Sequence, residues 1–374
     1  MATAHTNAER FRPAYRVLEE AIERRAFPGC AFGLFAGGQV VLLDALGHFT
    51  YDEGARAVTP DTVFDVASLT KVVVTTAAAM LLRQRGKLDL DMRLGDLLPG
   101  FVVGRSSSRS ARHVTLRHLL AHSSGLPGYV ELFRTASSPA ALFRTCLQLP
   151  LEAVPGERAE YSDIGFILLG KALEMLTREY LSSWVQHEIF IPLQLSASRF
   201  CPAAEERFAI PPTEIDTTFR NRRIQGEVQD EHAWLLHGAA GHAGLFSNVG
   251  DLLRFSAEIL SAVKPSAQAR PALFTQETVE LFSQRQLPEG SSRALGWDTP
   301  SANSSSGRHF SPRTIGHLGF SGCSLWIDLE KQIAVALLTN RTWPQRENQL
   351  IREVRPVFHD ALLQAWFSSP QEQA

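Results

Sequence analysis

Strand-like runs stand at both ends of this chain, with most of the helical periodicity between them. That arrangement restricts the fold more than any other feature. Residues 8–25 place Phe11, Tyr15, Leu18 and Ile22 at helical spacing with charges between, which predicts an amphipathic helix stopped by Pro28-Gly29. Cys30 to Phe35 and Val40 to Leu46 read as two strands joined at Gly37-Gly38, a hairpin signal. Near the other end, Thr314 to Phe320, Ser324 to Asp328 and Ile333 to Thr339 form three more strand-like runs, with a turn at Glu330-Lys331. A last helix is predicted from about Arg346 to Trp366. The expected fold is therefore α/β, with one antiparallel sheet of five or more strands built from both chain ends and the terminal helices over one face.

The expected organisation is one lobe from residues 1–67 and 312–374, and a mainly helical lobe with inserted loops from 68–311. The length of 374 residues suits such a two-part body. In the middle, helices are expected at Val72 to Arg85, Leu116 to Ala121, Asp163 to Thr177 (with Asp163 as N-cap) and Leu252 to Val263. Gly104 to Arg112 and Thr299 to Gly307 read as exposed polar loops with no phosphate-cradling pattern, and no cofactor is expected.

Charge narrows the partners. Lys+Arg is 37 against 39 Asp+Glu, which lacks the basic excess of a nucleic-acid binder. The most apolar helical stretch, Val72 to Leu82, is too short for a bilayer, which takes ~20 residues. The first ten residues show no basic segment followed by an apolar core, so a cytoplasmic protein is expected. Cys30, Cys146, Cys201 and Cys323 are far apart and read as free thiols of a reducing compartment.

Three segments carry chemistry. Lysine is scarce, five of the 37 basic residues, so Lys71 within an apolar stretch stands out. In Phe64-Asp65-Val66-Ala67-Ser68-Leu69-Thr70-Lys71 a strand-like run gives way to a helix at Ser68. Helical spacing puts Lys71 beside the Ser68 hydroxyl. A serine needs a base beside it, and a lysine serves if burial and nearby positive charge lower its pKa. The helix N-terminus also offers free N–H groups to an oxyanion. Second, Pro155-Gly156 leads to Tyr161-Ser162-Asp163, where a tyrosine can act as base or proton relay. Third, Gly316-His317-Leu318-Gly319-Phe320-Ser321-Gly322 is a glycine-rich strand edge able to present an N–H to an oxyanion.

No one segment is specific. In this order and spacing, from about Phe27 to Thr342, they resemble the serine β-lactamase and penicillin-binding-protein-like superfamily, on the class C β-lactamase and esterase branch. Supporting segments are Leu116 to Leu126, Ile189 to Leu193 and Gly241 to Ser247. The resemblance implies an all-α lobe beside an α/β lobe with the active site between them. Ser68 matches the acylated serine, Lys71 its partner and Tyr161 the general base. The amides of Ser68 and Phe320 match the oxyanion hole, with His317, Gly319, Ser321 and Asp163 lining the substrate site. Two departures stand out: Asp163 replaces an Asn, and His317-Leu318-Gly319 replaces Lys-Thr-Gly. Leu318 cannot hydrogen-bond, and Asp163 adds negative charge where an anionic substrate would lie. Hydrolysis of small-molecule esters or amides with neutral acyl groups is therefore expected, with weak or no action on β-lactams.

Other readings stay open. One is action on peptidoglycan fragments, as D,D-carboxypeptidase or muropeptide amidase, because residues 210–233 look like a segment of such relatives. Another is a non-catalytic binding protein on the same fold. His118 and His122 stand at ligand spacing, and Asp230, His232, His237 and His242 cluster in sequence, but hydrogen-bonded histidines are the expected reading and no metal is assigned. Asn340 to Pro344 follows the last strand near the expected cleft.

Overall fold

The computed structural model describes residues 9–103, 109–265, 272–302 and 304–368. Its strands in chain order are β1 (Gly29–Ala36), β2 (Gln39–Gly47), β3 (Phe64–Asp65), β4 (Arg199–Phe200), β5 (Pro212–Asp216), β6 (Arg222–Gln225), β7 (Leu245–Ser247), β8 (Thr314–Leu318), β9 (Ser324–Asp328) and β10 (Ile333–Thr339). The main sheet has five strands in the order β2-β1-β10-β9-β8, every neighbour antiparallel. Both chain ends thus build one sheet, as their strand-like runs predict. Gly37 and Gly38 turn the first hairpin with φ of 59° and 80°, which glycine adopts without strain.

Alternation along the strands sends side chains to two separate cores. Cys30, Phe32, Leu34, Trp326, Val335 and Leu337 meet Phe11, Leu18, Phe358 and Leu362 of the terminal helices α1 (Arg12–Glu23) and α5 (Ile351–Ser368). Ala31, Leu325, Ile327, Ala334, Ala336 and Leu338 face the other way, towards Val249, Leu252 and Leu253 of α4 (Val249–Val263). Small residues let α4 approach. A Cβ on Gly33 would stand 2.8 Å from Leu253 Cδ1 and 2.9 Å from Val249 Cγ1. The second face of the sheet is therefore covered from the middle of the chain.

That middle is less uniformly helical than its pattern predicts. β3, β7 and β4 form a three-stranded sheet, and β5 with β6 a hairpin. These strands are two to five residues long, too short for alternation to register. The expected single helix from Val72 is a composite. A 3₁₀ turn (Ala67–Leu69) and a π-helical turn (Lys71–Thr76) precede α2 (Ala77–Gln84). Helix α3 (Asp163–Thr177) is capped by Ser162, whose hydroxyl accepts from Gly165 N at 3.0 Å, so Asp163 is not the cap. Part of the expected exposed loop at Thr299 to Gly307 is buried, Thr299 and Ser306 included, while Gly104 to Ser108 and Asn303 lie outside the described residues. Among the described residues no helix is long and apolar enough to cross a membrane, and the four cysteines are free.

Candidate active site

Ser68 is set by a short strand and a strained turn. β3 pairs with β7 through Asp65↔Phe246, and the chain then turns at Ala67, whose φ of 48° is unusual for a residue with a Cβ. Buried Asp65 holds that turn. Its Oδ1 accepts from Ala67 N at 2.9 Å and its Oδ2 from Gln229 N at 2.7 Å. Burial pushes the Asp65 carboxyl up to about 6, against the pull of those two N–H groups. Half-buried Ser68 follows in the first helical turn, where backbone N–H groups lack intrahelical partners.

Lys71 Nζ lies 3.0 Å from Ser68 Oγ, 2.6 Å from Asp163 Oδ1 and 3.0 Å from the His242 carbonyl. An ammonium has three N–H donors, and three acceptors surround this one. Burial opposes the charge, but Asp163 and Tyr161 outweigh it and raise the lysine's pKa. The condition for Lys71 to act directly as a base, a pKa lowered by burial and nearby positive charge, is therefore not met at rest, because the neighbouring charge is a carboxylate and not a cation. The Tyr161 hydroxyl donates to Ser68 Oγ at 2.8 Å. Burial raises the phenol's pKa, and Lys71 only partly offsets this. At rest both neighbours of Ser68 thus carry their protons, and both donate to its oxygen.

His317 sits behind the phenol, ring centroids 5.8 Å apart. Its Nδ1 is 2.8 Å from the Leu318 carbonyl, which only accepts, so Nδ1 carries the hydrogen. Burial, with Lys71 and Arg293 nearby, drives its pKa well below the usual value. The neutral ring then leaves Nε2 bare, able to accept a hydrogen bond but not to donate one. Arg293 lies on the same side, its Cζ 5.4 Å from the Tyr161 ring centroid, and its ion pair with Asp298 is long at 3.7 Å.

The 319–323 turn packs on Asp65 and Val66, just ahead of Ser68. A Cβ on Gly319 would stand 2.6 Å from the Val66 carbonyl, which accounts for glycine there. The Ser321 hydroxyl donates to the Asp65 carbonyl at 2.8 Å, so it ties the turn to the Ser68 segment and is not free for a ligand. Two arginines orient the turn: Arg355, unremarked in the sequence, and Arg341 of the segment after the last strand. Arg355 of α5 donates to the carbonyls of Gly319 (2.8 Å), Cys323 (2.7 Å) and Gly322 (3.2 Å), and Arg341 to that of Phe320 (2.7 Å). A trans peptide points its C=O and N–H in opposite directions. Holding the Gly319 carbonyl against Arg355 therefore aims the Phe320 N–H away from α5. That N–H has no hydrogen-bond partner among the described residues.

The histidines separate into different tasks. His118 joins Thr115 in a capping box. His122 Nδ1 accepts from Ser162 N at 3.0 Å, with its ring stacked against Phe166 and tilted against Tyr161. These two do not form a ligand pair. Asp230, His232 and His242 converge, while His237 stays apart from them. Asn340 bridges the Phe49 and Pro212 carbonyls, a buried structural role.

Comparison with known proteins agrees with this architecture. The Beta-lactamase family model matches residues 15–356. An N-acetylmuramyl-L-alanine amidase of Bacillus subtilis (strain 168) is 29% identical over 376 residues, covering 91% of this chain and 82% of that protein. Among solved structures, EstCE1, described as a hydrolase with promiscuous acyltransferase activity, superposes with a TM-score of 0.76 at 22% identity, over 96% of this chain and 99% of that one. An octameric penicillin-binding protein homologue from Pyrococcus abyssi gives 0.71 at 21% identity, over 96% and 78%.

Proposed function

The chain belongs to the β-lactamase family of serine hydrolases, and we propose that it cleaves carboxylic esters and related amides through an acyl-Ser68 intermediate. The observation that carries this reading is the convergence of Lys71 Nζ and Tyr161 OH on Ser68 Oγ, at 3.0 and 2.8 Å.

Both neighbours are protonated at rest, so a proton must leave before Ser68 can react. The 2.6 Å contact between Lys71 and Asp163 supplies the route. Transfer of one proton to Asp163 leaves Lys71 as an amine. The amine takes the Ser68 proton as Oγ attacks the carbonyl carbon, and the oxyanion is received by the amides of Ser68 and Phe320. On collapse, the C–N or C–O bond breaks and the leaving atom takes the Tyr161 proton, which Lys71 replaces. Water then attacks the acyl-enzyme by the reverse sequence. Tyr161 acts here as an acid towards the leaving group, in keeping with its raised pKa. Leu318 has no hydroxyl to offer a β-lactam carboxylate, which supports poor turnover of penicillins.

A fluorophosphonate probe should add one label, at Ser68, by intact mass and peptide mapping. Ser68→Ala should lose the label and the hydrolysis of p-nitrophenyl esters. A label on another residue, or full activity of Ser68→Ala, would refute the assignment.

A second reading, cleavage of peptidoglycan fragments, is favoured by the amidase relative and by Arg293. Its guanidinium is 23% exposed beside Tyr161 and only loosely paired, as an anchor for a substrate carboxylate requires. Arg293→Ala should then lower kcat/KM for a carboxylate-bearing muropeptide and leave that for a neutral ester unchanged.

A further inference from the structure

We propose that Asp230, His232 and His242 form a binding site for a divalent transition metal of the zinc type, beside the acylation site. One ligand atom from each residue lies within 4.8 Å of the other two. The donor set is two imidazoles and a carboxylate. Imidazole nitrogen selects zinc-like ions over calcium or magnesium, and three protein ligands leave a fourth position open.

Unmet valences in the cluster provide an independent argument. His232 is fully buried, yet neither ring nitrogen has a hydrogen-bond partner among the described residues. The Val130 backbone is near enough to act on its charge but makes no well-formed hydrogen bond with it. Every imidazole carries a proton on at least one nitrogen, so such a ring in a dry interior leaves polar valences unmet. His242 is also buried, and its Nδ1 is likewise without a partner. Its Nε2 lies 2.8 Å from Asp230 Oδ1, so these two candidate donor atoms already adjoin. The aromatic rings of Tyr129 and Phe133 close over His232, with centroids at 5.3 and 5.6 Å.

The site has a structural consequence for the chemistry. Asp230 and His232 open the short helix Glu231–Leu235, whereas His242 belongs to the loop before β7. A metal would cross-link the two. The His242 carbonyl is one of the three acceptors of Lys71 Nζ, so the metal would fix the backbone that positions the lysine. In this role Asp230, His232 and His242 are positioning residues.

The test measures metal directly. Full-length protein is stripped with a chelator, exposed to Zn(II), desalted and assayed for zinc. The same protein is titrated with Co(II), whose visible absorption becomes intense in a four-coordinate site. Wild type should retain about one zinc per chain. It should show the cobalt band and gain thermal stability on adding zinc. His232→Ala and the hydrogen-bonding variant His232→Asn should keep a wild-type circular dichroism spectrum and bind more than ~100-fold more weakly, since even outer-shell losses cost 10–100-fold. Zinc retention in wild type no greater than in His232→Asn, or a cobalt spectrum that stays octahedral, would overturn the proposal. Labelling of Ser68 by the fluorophosphonate in the stripped protein tests the acyl-serine reading separately.

Discussion

Replacing Asp163 by Asn tests the proton route most directly. The substitution keeps the shape and removes the charge that faces Lys71 at 2.6 Å. At that separation and an effective dielectric of ~20, the attraction is about 6 kcal/mol before desolvation is counted. Measured losses on breaking buried pairs are about 3–5 kcal/mol. The two side chains are 0% and 17% exposed, so that range applies with little screening. The variant can recover part of this loss by releasing the Lys71 proton. A lysine whose folded pKa falls below its unfolded value favours the unfolded state at low pH. The stability penalty should therefore be largest at neutral pH and shrink as pH rises towards ~10.4. Catalysis should show a matching signature. In the wild type the proton moves within the pair, so acylation should be nearly flat with pH around neutrality. In Asp163→Asn the amine forms only by loss of a proton to solvent. Acylation by a fluorophosphonate, followed by stopped-flow or quench, should then fall on the order of 10²-fold at pH 6.5. It should climb about tenfold per pH unit and converge on wild type at high pH. Parallel pH profiles for the two proteins, or an unchanged rate at pH 6.5, would refute the route through Asp163.

Three further outcomes are expected. Arg355→Lys keeps a cation but cannot reach three carbonyls, so the Phe320 N–H loses its aim; kcat should fall about 10²–10³-fold with KM little changed, as for loss of one oxyanion donor, and an unchanged kcat would remove Arg355 from the site's support. Gly319→Ala would force a Cβ to within 2.6 Å of the Val66 carbonyl, so the turn must move off Ser68 and probe labelling should slow sharply, whereas wild-type labelling would show that the turn has room. Buried His359 has its pKa held down to about 4 by burial, so the unfolded chain takes up more protons below ~6.5, and stability present above that pH is lost as pH falls; at pH 5.5 this one residue costs about 1.4 kcal/mol, and chemical denaturation of His359→Gln at pH 7.5 and 5.5 should show that much less acid sensitivity.

Much of this molecule is written locally. Strand runs, the Gly37-Gly38 turn and the spacing of Phe11, Tyr15, Leu18 and Ile22 depend on near neighbours, so the sheet and its outer helices follow from the sequence alone. The same holds for Ser68 and Lys71, three residues apart on one helical face. Tyr161 is placed by its motif, and Asp230, His232 and His242 are legible only as part of a sequence cluster that also includes His237. What the sequence does not contain is charge balance at contact distance. Asp163 meets Lys71 across 92 residues, and that meeting, with Tyr161, raises the lysine's pKa against the pull of burial. Arg355 is an ordinary helix residue until folding carries its guanidinium to carbonyls more than 30 residues away. Alternation and helical spacing report which way a residue faces, because chain geometry repeats locally. Desolvation and electrostatics depend on what lies opposite, and only the packed chain decides that.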